Sequence, residues 1–157
     1  MAARRARLGV GAALLTLLGA TVGCGAAPVR VSPPSPTGPS RAACEALLAD
    51  LPATVEGAAA RQVVPSDALA AAWGDPPIVL RCGVSRPRAL KPTSPCLEVS
   101  GVGWFAERAE RGTIFTTIGR ATYVEVAVPS AYEPPVNPLV DLAAAIKQNI
   151  AERRPCA

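Results

Sequence analysis

The residues of this chain that could do chemistry are carboxylates, arginines and cysteines, because the sequence contains no histidine. Without histidine, the Ser-His-Asp and Cys-His hydrolase arrangements are excluded, and so are the commonest general base and the commonest metal ligand. A pair of carboxylates could still support glycoside hydrolysis. Most of the acidic residues, however, lie on predicted polar helix faces or in loops, where a solvated surface role is the favoured interpretation.

Three charged residues differ from the others because they occupy polar positions of predicted strands: Arg81, Glu98 and Glu125. Strand alternation places all three on the sheet face that points away from the core. A cross-strand ion pair between Arg81 and one of the glutamates is the favoured interpretation, ahead of ligand binding and of catalysis. The candidate binding surface combines this face with the turn beside it and consists of Trp73, Asp75, Arg81, Arg120 and Glu125.

Signatures of cofactors, metals and nucleic acids are missing from the sequence. It has no GxxxxGK[ST] or GxGxxG loop and no CxxC pair, so we predict no cofactor and no metal site. The net charge is +4, but residues 1–23 hold three arginines and no acid, which leaves 13 basic against 12 acidic residues, or +1. With that charge and only six aromatic residues, we predict no nucleic-acid partner.

The N-terminus has the layout of a secretory signal peptide over residues 1–23. Three arginines precede an apolar stretch over residues 8–20, which is shorter than the about 20 residues of a membrane-spanning helix. Small residues then lead to Cys24, and this segment resembles a bacterial lipobox, in which the cysteine carries lipid. We expect an exported protein, lipid-anchored through Cys24 to the outer face of the cytoplasmic membrane. Ordinary signal cleavage nearby is the alternative, and the export route, Sec or Tat, stays open.

Residues 24–39 are predicted to hold the lipidated cysteine and a proline-rich linker. Five prolines and the lack of an apolar period indicate an extended spacer that lifts the domain off the membrane. The folded part is predicted to be one domain over residues 40–157. A chain of that size forms a modest core and benefits from covalent cross-links.

The hydrophobic pattern of that domain predicts three helices and four strands. The helices are expected over 41–50 with Ser40 as the cap, over 67–73, and from an Asn137 cap onward; the strands over 78–82, 97–102, 113–118 and 122–128. Because the strands lie between the terminal helices, we predict an α+β fold, with an antiparallel sheet of about four strands and the N- and C-terminal helices packed on one face. The inner face of the last helix is expected to consist of Leu139, Leu142, Ile146 and Ile150.

The cysteines predict that two disulfides stabilise this fold. Four remain if Cys24 carries lipid, and an even number in an exported chain indicates a disulfide framework. Cys44 and Cys82 both lie on apolar sides of their elements, so Cys44–Cys82 with Cys96–Cys156 is the favoured connectivity. A Cys82–Cys96 bridge with Cys44–Cys156 is the alternative, and it would require a β-bulge because Cys96 has the parity of the polar side.

Five phrases occur in one order along the predicted domain: CEALLADLP (44–52), AAWGDPPIVLRCGVSRP (71–87), VSGVGWF (99–105), FTTIGR (115–120) and YVEVAVPSAYEP (123–134). Together they resemble an exported actinobacterial family, the domain of unknown function 3515 (DUF3515). The resemblance implies exported or lipid-anchored proteins of no established activity, and it supplies no catalytic residue. It also leads us to expect an asparagine-like residue near Ser100 and an acidic residue near Gly103.

These features favour a non-enzymatic cell-envelope module that binds an envelope protein or a cell-wall component. The alternative is an envelope enzyme or solute-binding protein for a small cell-wall-related ligand. In that case Asp75 or Glu125 would act as the base, and Arg81 or Arg120 would hold an anion. A deep pocket with converging charges would favour the alternative, whereas a flat face with Arg81 already paired would favour the binding module.

Overall fold

The computed structural model describes residues 26–156, so the predictions for the signal peptide and for Cys24 lie outside the described residues. Its elements in chain order are β1 (Val29–Arg30), α1 (Gly38–Ala49), β2 (Thr54–Val55), β3 (Ala58–Arg61), β4 (Val63–Val64), β5 (Ala70–Trp73), β6 (Ile78–Val84), β7 (Leu97–Val99), β8 (Val102–Ala109), β9 (Gly112–Ile118), β10 (Tyr123–Pro129) and α2 (Asn137–Asn149). Over the described range, neither helix has the length and apolar character needed to cross a bilayer.

Eight strands form one antiparallel sheet in the order β2-β3-β5-β6-β10-β9-β8-β7, and β1 pairs in parallel with β4. The mostly antiparallel sheet with two terminal helices confirms the coarse α+β prediction. The prediction of about four strands is wrong, because β8 and several short strands extend the sheet on both sides of β6, β9 and β10.

Two tight turns account for part of the missed sheet. Ser100 (φ 50°) and Gly101 (φ 79°) connect β7 to β8 as a two-residue hairpin, where one strand over 97–102 was predicted. Glu56 (φ 50°) and Gly57 (φ 72°) connect β2 to β3 in the same way. Positive φ at both central residues is typical of type I′ turns, whose twist matches that of the flanking strands. The asparagine-like residue expected near Ser100 would suit this backbone.

The predicted second helix over 67–73 is wrong, because Ala70–Trp73 is strand β5 between β3 and β6. An alanine run has high helix propensity when isolated. Here the sheet overrides that preference, since Ala70, Ala72 and Trp73 are buried and Trp73 is in register with Ile78 of β6.

The main core is formed by buried residues of the sheet and of both helices. Leu80, Val126 and Phe115 contribute from the sheet. The four side chains predicted for the inner face of the last helix are all 0% exposed: Leu139, Leu142, Ile146 and Ile150.

The helix starts differ from the predicted caps. Ser40 lies inside α1, which begins at Gly38 after Thr37, and Thr37 makes no side-chain capping bond. Asn137 is the first residue of α2 rather than its cap. Its amide instead donates to Glu56 Oε1 at 3.1 Å, which ties the β2–β3 turn to the start of α2.

The structure contains the favoured pair of disulfides, Cys44–Cys82 and Cys96–Cys156. The first links α1 to β6, and both of its cysteines are 0% exposed. The second lies over Gly103, where a Cβ atom would come within 2.6 Å of Cys156 Sγ and 3.0 Å of Cys96 Sγ. The acidic residue expected near Gly103 would therefore collide with this disulfide.

The proline-rich segment before α1 makes backbone hydrogen bonds with the domain. Val29 is buried, and its N–H donates to the Gln62 carbonyl at 2.8 Å. Val31 N–H donates to the Val64 carbonyl at 3.0 Å. Residues 29–36, which we call the N-terminal arch, therefore lie against the domain, because β4 offers backbone partners that composition alone does not reveal.

Candidate functional site

Arg81 and Glu125 form an ion pair on the sheet face opposite the main core. They are directly opposite each other in the register of β6 and β10. Arg81 donates from Nε (2.9 Å) and Nη2 (2.6 Å) to Glu125 Oε1, and the two side chains are 29% and 18% exposed. The cross-strand pair expected from alternation is therefore present, and it is made with Glu125 rather than Glu98.

Glu98 is far from Arg81 because β7 and β6 are separated by β8, β9 and β10 in the sheet. Its register partner is Gly103, beside the second disulfide. A spacing of about 5 Å between neighbouring strands places the two positions roughly 20 Å apart, beyond the reach of an ion pair.

The N-terminal arch crosses the ion pair. Arg81 Nη1 donates to the Ser32 carbonyl at 3.3 Å. Further along, Pro36 lies so close to Gly83 that a Cβ on this glycine would come within 2.3 Å of the proline ring. The arch and strands β6 and β10 border an open cleft of about 400 Å³, which we call the arch cleft, lined by Ser32, Pro33, Pro34, Ser35, Arg81, Gly83, Val84, Ser85 and Glu125.

The row of residues across the sheet continues from Glu125 to Thr116 of β9 and then to Phe105 of β8. Thr116 is 1% exposed, and its hydroxyl has no hydrogen-bond partner among the described residues. Ser32 and Thr116 were not predicted for this site. The sequence signal for Ser32 is the alternation of Val29 and Val31 before it. The sequence signal for Thr116 is the alternation within the strand TIFTTI.

Arg120 lies away from the arch cleft and hydrogen-bonds two backbone carbonyls. It donates to the Ile150 carbonyl and to the Gly101 carbonyl, both at 2.9 Å. These bonds join the end of α2 to the β7–β8 turn. The guanidinium of Arg120 therefore does not share a site with Arg81.

Trp73 and Asp75 also lie away from the ion pair. Trp73 is 1% exposed, and its indole N–H donates to the Pro52 carbonyl at 3.0 Å, so it belongs to the core. Asp75 is 83% exposed and lies 3.5 Å from Arg61 Nη1. The structure thus brings together Arg81 and Glu125, while the other three residues of the predicted surface occupy separate places.

Within residues 26–156, no group of three or more histidine, cysteine or acidic side chains is placed to hold a metal ion. The arch cleft offers one guanidinium, one carboxylate, backbone carbonyls and serine hydroxyls. Arg81 already shares its donors between Glu125 and Ser32. This arrangement can accept or donate hydrogen bonds at a partly covered surface whose charges balance each other.

Comparison with known proteins gives a family and no described relative. No curated protein and no solved structure matches the chain. The model of a family described as "Protein of unknown function (DUF3515)" matches residues 7–155. Because the match spans nearly the whole sequence and includes all five phrases that carried the resemblance, the chain belongs to the DUF3515 family.

Proposed function

We propose that the protein is an exported, lipid-anchored cell-envelope protein whose domain binds an envelope protein or a cell-wall component without catalysing a reaction. The signal layout that ends at Cys24 supports export and anchoring. The two disulfides support the same compartment, since disulfides persist in oxidising environments outside the cytoplasm.

The observation that carries the binding role is the ion pair satisfied within the chain. Glu125 Oε1 accepts two hydrogen bonds from Arg81, which occupy one of the two carboxylate oxygens that a base could use. Arg81 also donates to Ser32, so three of its five N–H donors are engaged within the chain. The arch cleft then acts as a shaped, charge-balanced surface for a partner.

Site-directed photocrosslinking in the protein's own cells tests this role. A photoreactive side chain at Ser35, an exposed residue of the arch cleft, is compared with one at Val140, an exposed residue of α2 on the helix side. We expect a discrete adduct from position 35 that position 140 does not give. Identical adduct patterns from the two positions, or no adduct from either, would contradict a partner surface at the arch cleft.

A second candidate function, binding of a small cell-wall-related ligand, is favoured by the arch cleft itself. Its volume of about 400 Å³ falls in the range of small-molecule sites, and it holds an arginine beside a carboxylate. Soluble cell-wall fragments would then raise the thermal unfolding midpoint of the wild type but not that of Arg81→Met, because a ligand stabilises the state it binds. No fragment-dependent shift is expected if the partner is an envelope protein.

Anchoring through Cys24 has an independent test. Cys24→Ala is expected to move the protein from the membrane fraction to the soluble exported fraction, with the domain still folded. Mass analysis of the N-terminal peptide is expected to show lipid on the wild-type cysteine. Unchanged fractionation of the variant would contradict the anchor and leave the binding role of the domain to be judged by crosslinking.

A further inference from the structure

A shallow apolar groove lies at one end of the sheet, where β6 and β9 begin and β10 ends. Its volume is about 300 Å³, and its apolar lining includes Pro76, Pro77, Ile114, Ala127, Val128 and Pro129. We call it the end groove. Ile114, Ala127 and Pro129 are half-buried and Pro76 is exposed, so apolar surface remains open to solvent here.

The N-terminal part of the described chain begins at the same end of the sheet. Arg61 donates from Nη2 to the Ala27 carbonyl and from Nη1 to the Gly74 carbonyl, and Gly74 lies two residues before Pro76. Farther along the chain, Ser32 contacts Arg81 of β6, and Pro36 contacts Gly83 of the same strand. The arch therefore begins at the end of the sheet that holds the end groove and leads away from that end.

The short distance along the chain from Ala27 to Cys24 limits where a lipid on Cys24 can lie. Three residues span at most about 11 Å even when fully extended. Arg61 is in register with Ala72, Val79, Ala127 and Ile114 in turn across the sheet. At about 5 Å per strand, Ala127 lies roughly 14 Å from Arg61. An anchor on Cys24 thus brings this end of the sheet, rather than the opposite end, to the membrane.

We propose that the end groove is the membrane-contacting face of the domain, with the acyl chains of the bilayer surface as its occupant. This inference rests on the proposed lipid anchor. The apolar lining suits lipid tails, and Arg111, which also lines the groove and is exposed, suits the phosphate groups of anionic lipids. The proline-rich segment then holds the domain against the membrane instead of lifting it away.

Tryptophan quenching in lipid vesicles tests the orientation. Ile114→Trp places a probe in the end groove, and Gln148→Trp places a matched probe near the end of α2, where the neighbouring Lys147 lies close to Gly101 of the β7–β8 turn. The two native tryptophans, Trp73 and Trp104, are buried and give the same background in both variants. The full lipid-bearing proteins are reconstituted into phosphatidylcholine–phosphatidylglycerol vesicles with brominated acyl chains, which quench tryptophan at the membrane.

We expect a larger loss of fluorescence for Ile114→Trp than for Gln148→Trp. Equal losses, or a larger loss at position 148, would overturn the proposal. If Ile114→Trp does not fold, Arg111→Trp replaces it, since Arg111 is exposed. The mass of the N-terminal peptide separates the proposed lipid anchor from the proposed membrane contact of the end groove. Lipid on Cys24 without preferential quenching at position 114 overturns only the membrane contact. A Cys24 that carries no lipid overturns both proposals.

Discussion

A double-mutant cycle on Arg81 and Glu125 gives the sharpest test of how the arch cleft is built. Each residue is changed to methionine, which keeps an unbranched stem and removes the charge. The cleft leaves the two side chains 29% and 18% exposed, so water screens the pair less than it screens a surface pair. The chain offers a matched control in Arg41 and Glu45 of α1, which lie 3.0 Å apart but are 55% and 56% exposed.

The expected loss of unfolding free energy follows from how exposed each of the two ion pairs is. Exposed pairs contribute about 0–1 kcal/mol, whereas removal of one partner from a fully buried pair costs about 3–5 kcal/mol. For the partly covered Arg81–Glu125 pair we expect each single variant to lose about 1–2 kcal/mol of unfolding free energy. Two methionines together are expected to recover much of that loss, because an apolar pair leaves no uncompensated charge. In α1 the coupling is expected to be at most about 0.5 kcal/mol.

The assay is urea unfolding with the disulfides intact, followed by the fluorescence of the buried Trp73 and Trp104. The coupling energy is the difference between the effect of the double variant and the summed effects of the single variants. A coupling at Arg81 and Glu125 no larger than that at Arg41 and Glu45 would refute the view that the arch shelters the pair. It would also remove the main argument for the proposed binding role, which rests on an Arg81–Glu125 pair that is satisfied within the chain.

Three further predictions concern the turn and the disulfides. Ser100→Asn is expected to raise the unfolding free energy by up to about 1 kcal/mol, since asparagine tolerates the positive φ of this hairpin better than serine; an unchanged urea midpoint would contradict this. Gly103→Ala is expected to lower it by about 1–3 kcal/mol, because the new Cβ would lie 2.6 Å from Cys156 Sγ; unaltered stability would show that the disulfide shifts freely. Under mild reductant, the half-buried Cys96–Cys156 bridge is expected to open before the fully buried Cys44–Cys82 bridge. Peptide mass mapping follows the order of reduction, and the reverse order would show that access of the reductant to the disulfide does not control it.

Features set by strand alternation could be predicted from the sequence. The buried Val124, Val126 and Val128 alternate with half-buried positions, and this alternation fixes the side of Glu125. The same parity puts Cys82 toward α1 and Arg81 toward the opposite face, because neighbouring strand residues point to opposite sides. These are local rules, and they need no knowledge of distant partners.

Features that depend on distant partners could not be predicted in the same way. The alanine run over 70–73 becomes a strand only because β3 and β6 pair with it. The turn at Ser100 and Gly101 carries a weak sequence signal, since the apolar pattern continues through both of its strands. Prolines between residues 28 and 39 are typical of a linker, and nothing in their spacing reveals that Val29 pairs with the segment near Val63.

The placement of the arch has a consequence for how the cleft meets a partner. One end of the arch is held by Val29 and Val31, which bond to the segment around β4. The other end runs directly into α1, and Cys44 of α1 is joined covalently to Cys82 of β6, the residue after Arg81.

The arch is thus held at one end by the segment around β4 and at the other, through α1, by β6, and Arg81 bonds to Ser32 between the two ends. A wall held in this way is already ordered before a partner arrives, so binding to the arch cleft does not have to supply the free energy of ordering it. Since the same segment leads back toward Cys24, the proposed attachment to the membrane and the shape of the cleft would depend on one continuous stretch of chain. A change at Val29 that loosens the arch should therefore alter the cleft even though this residue does not line it.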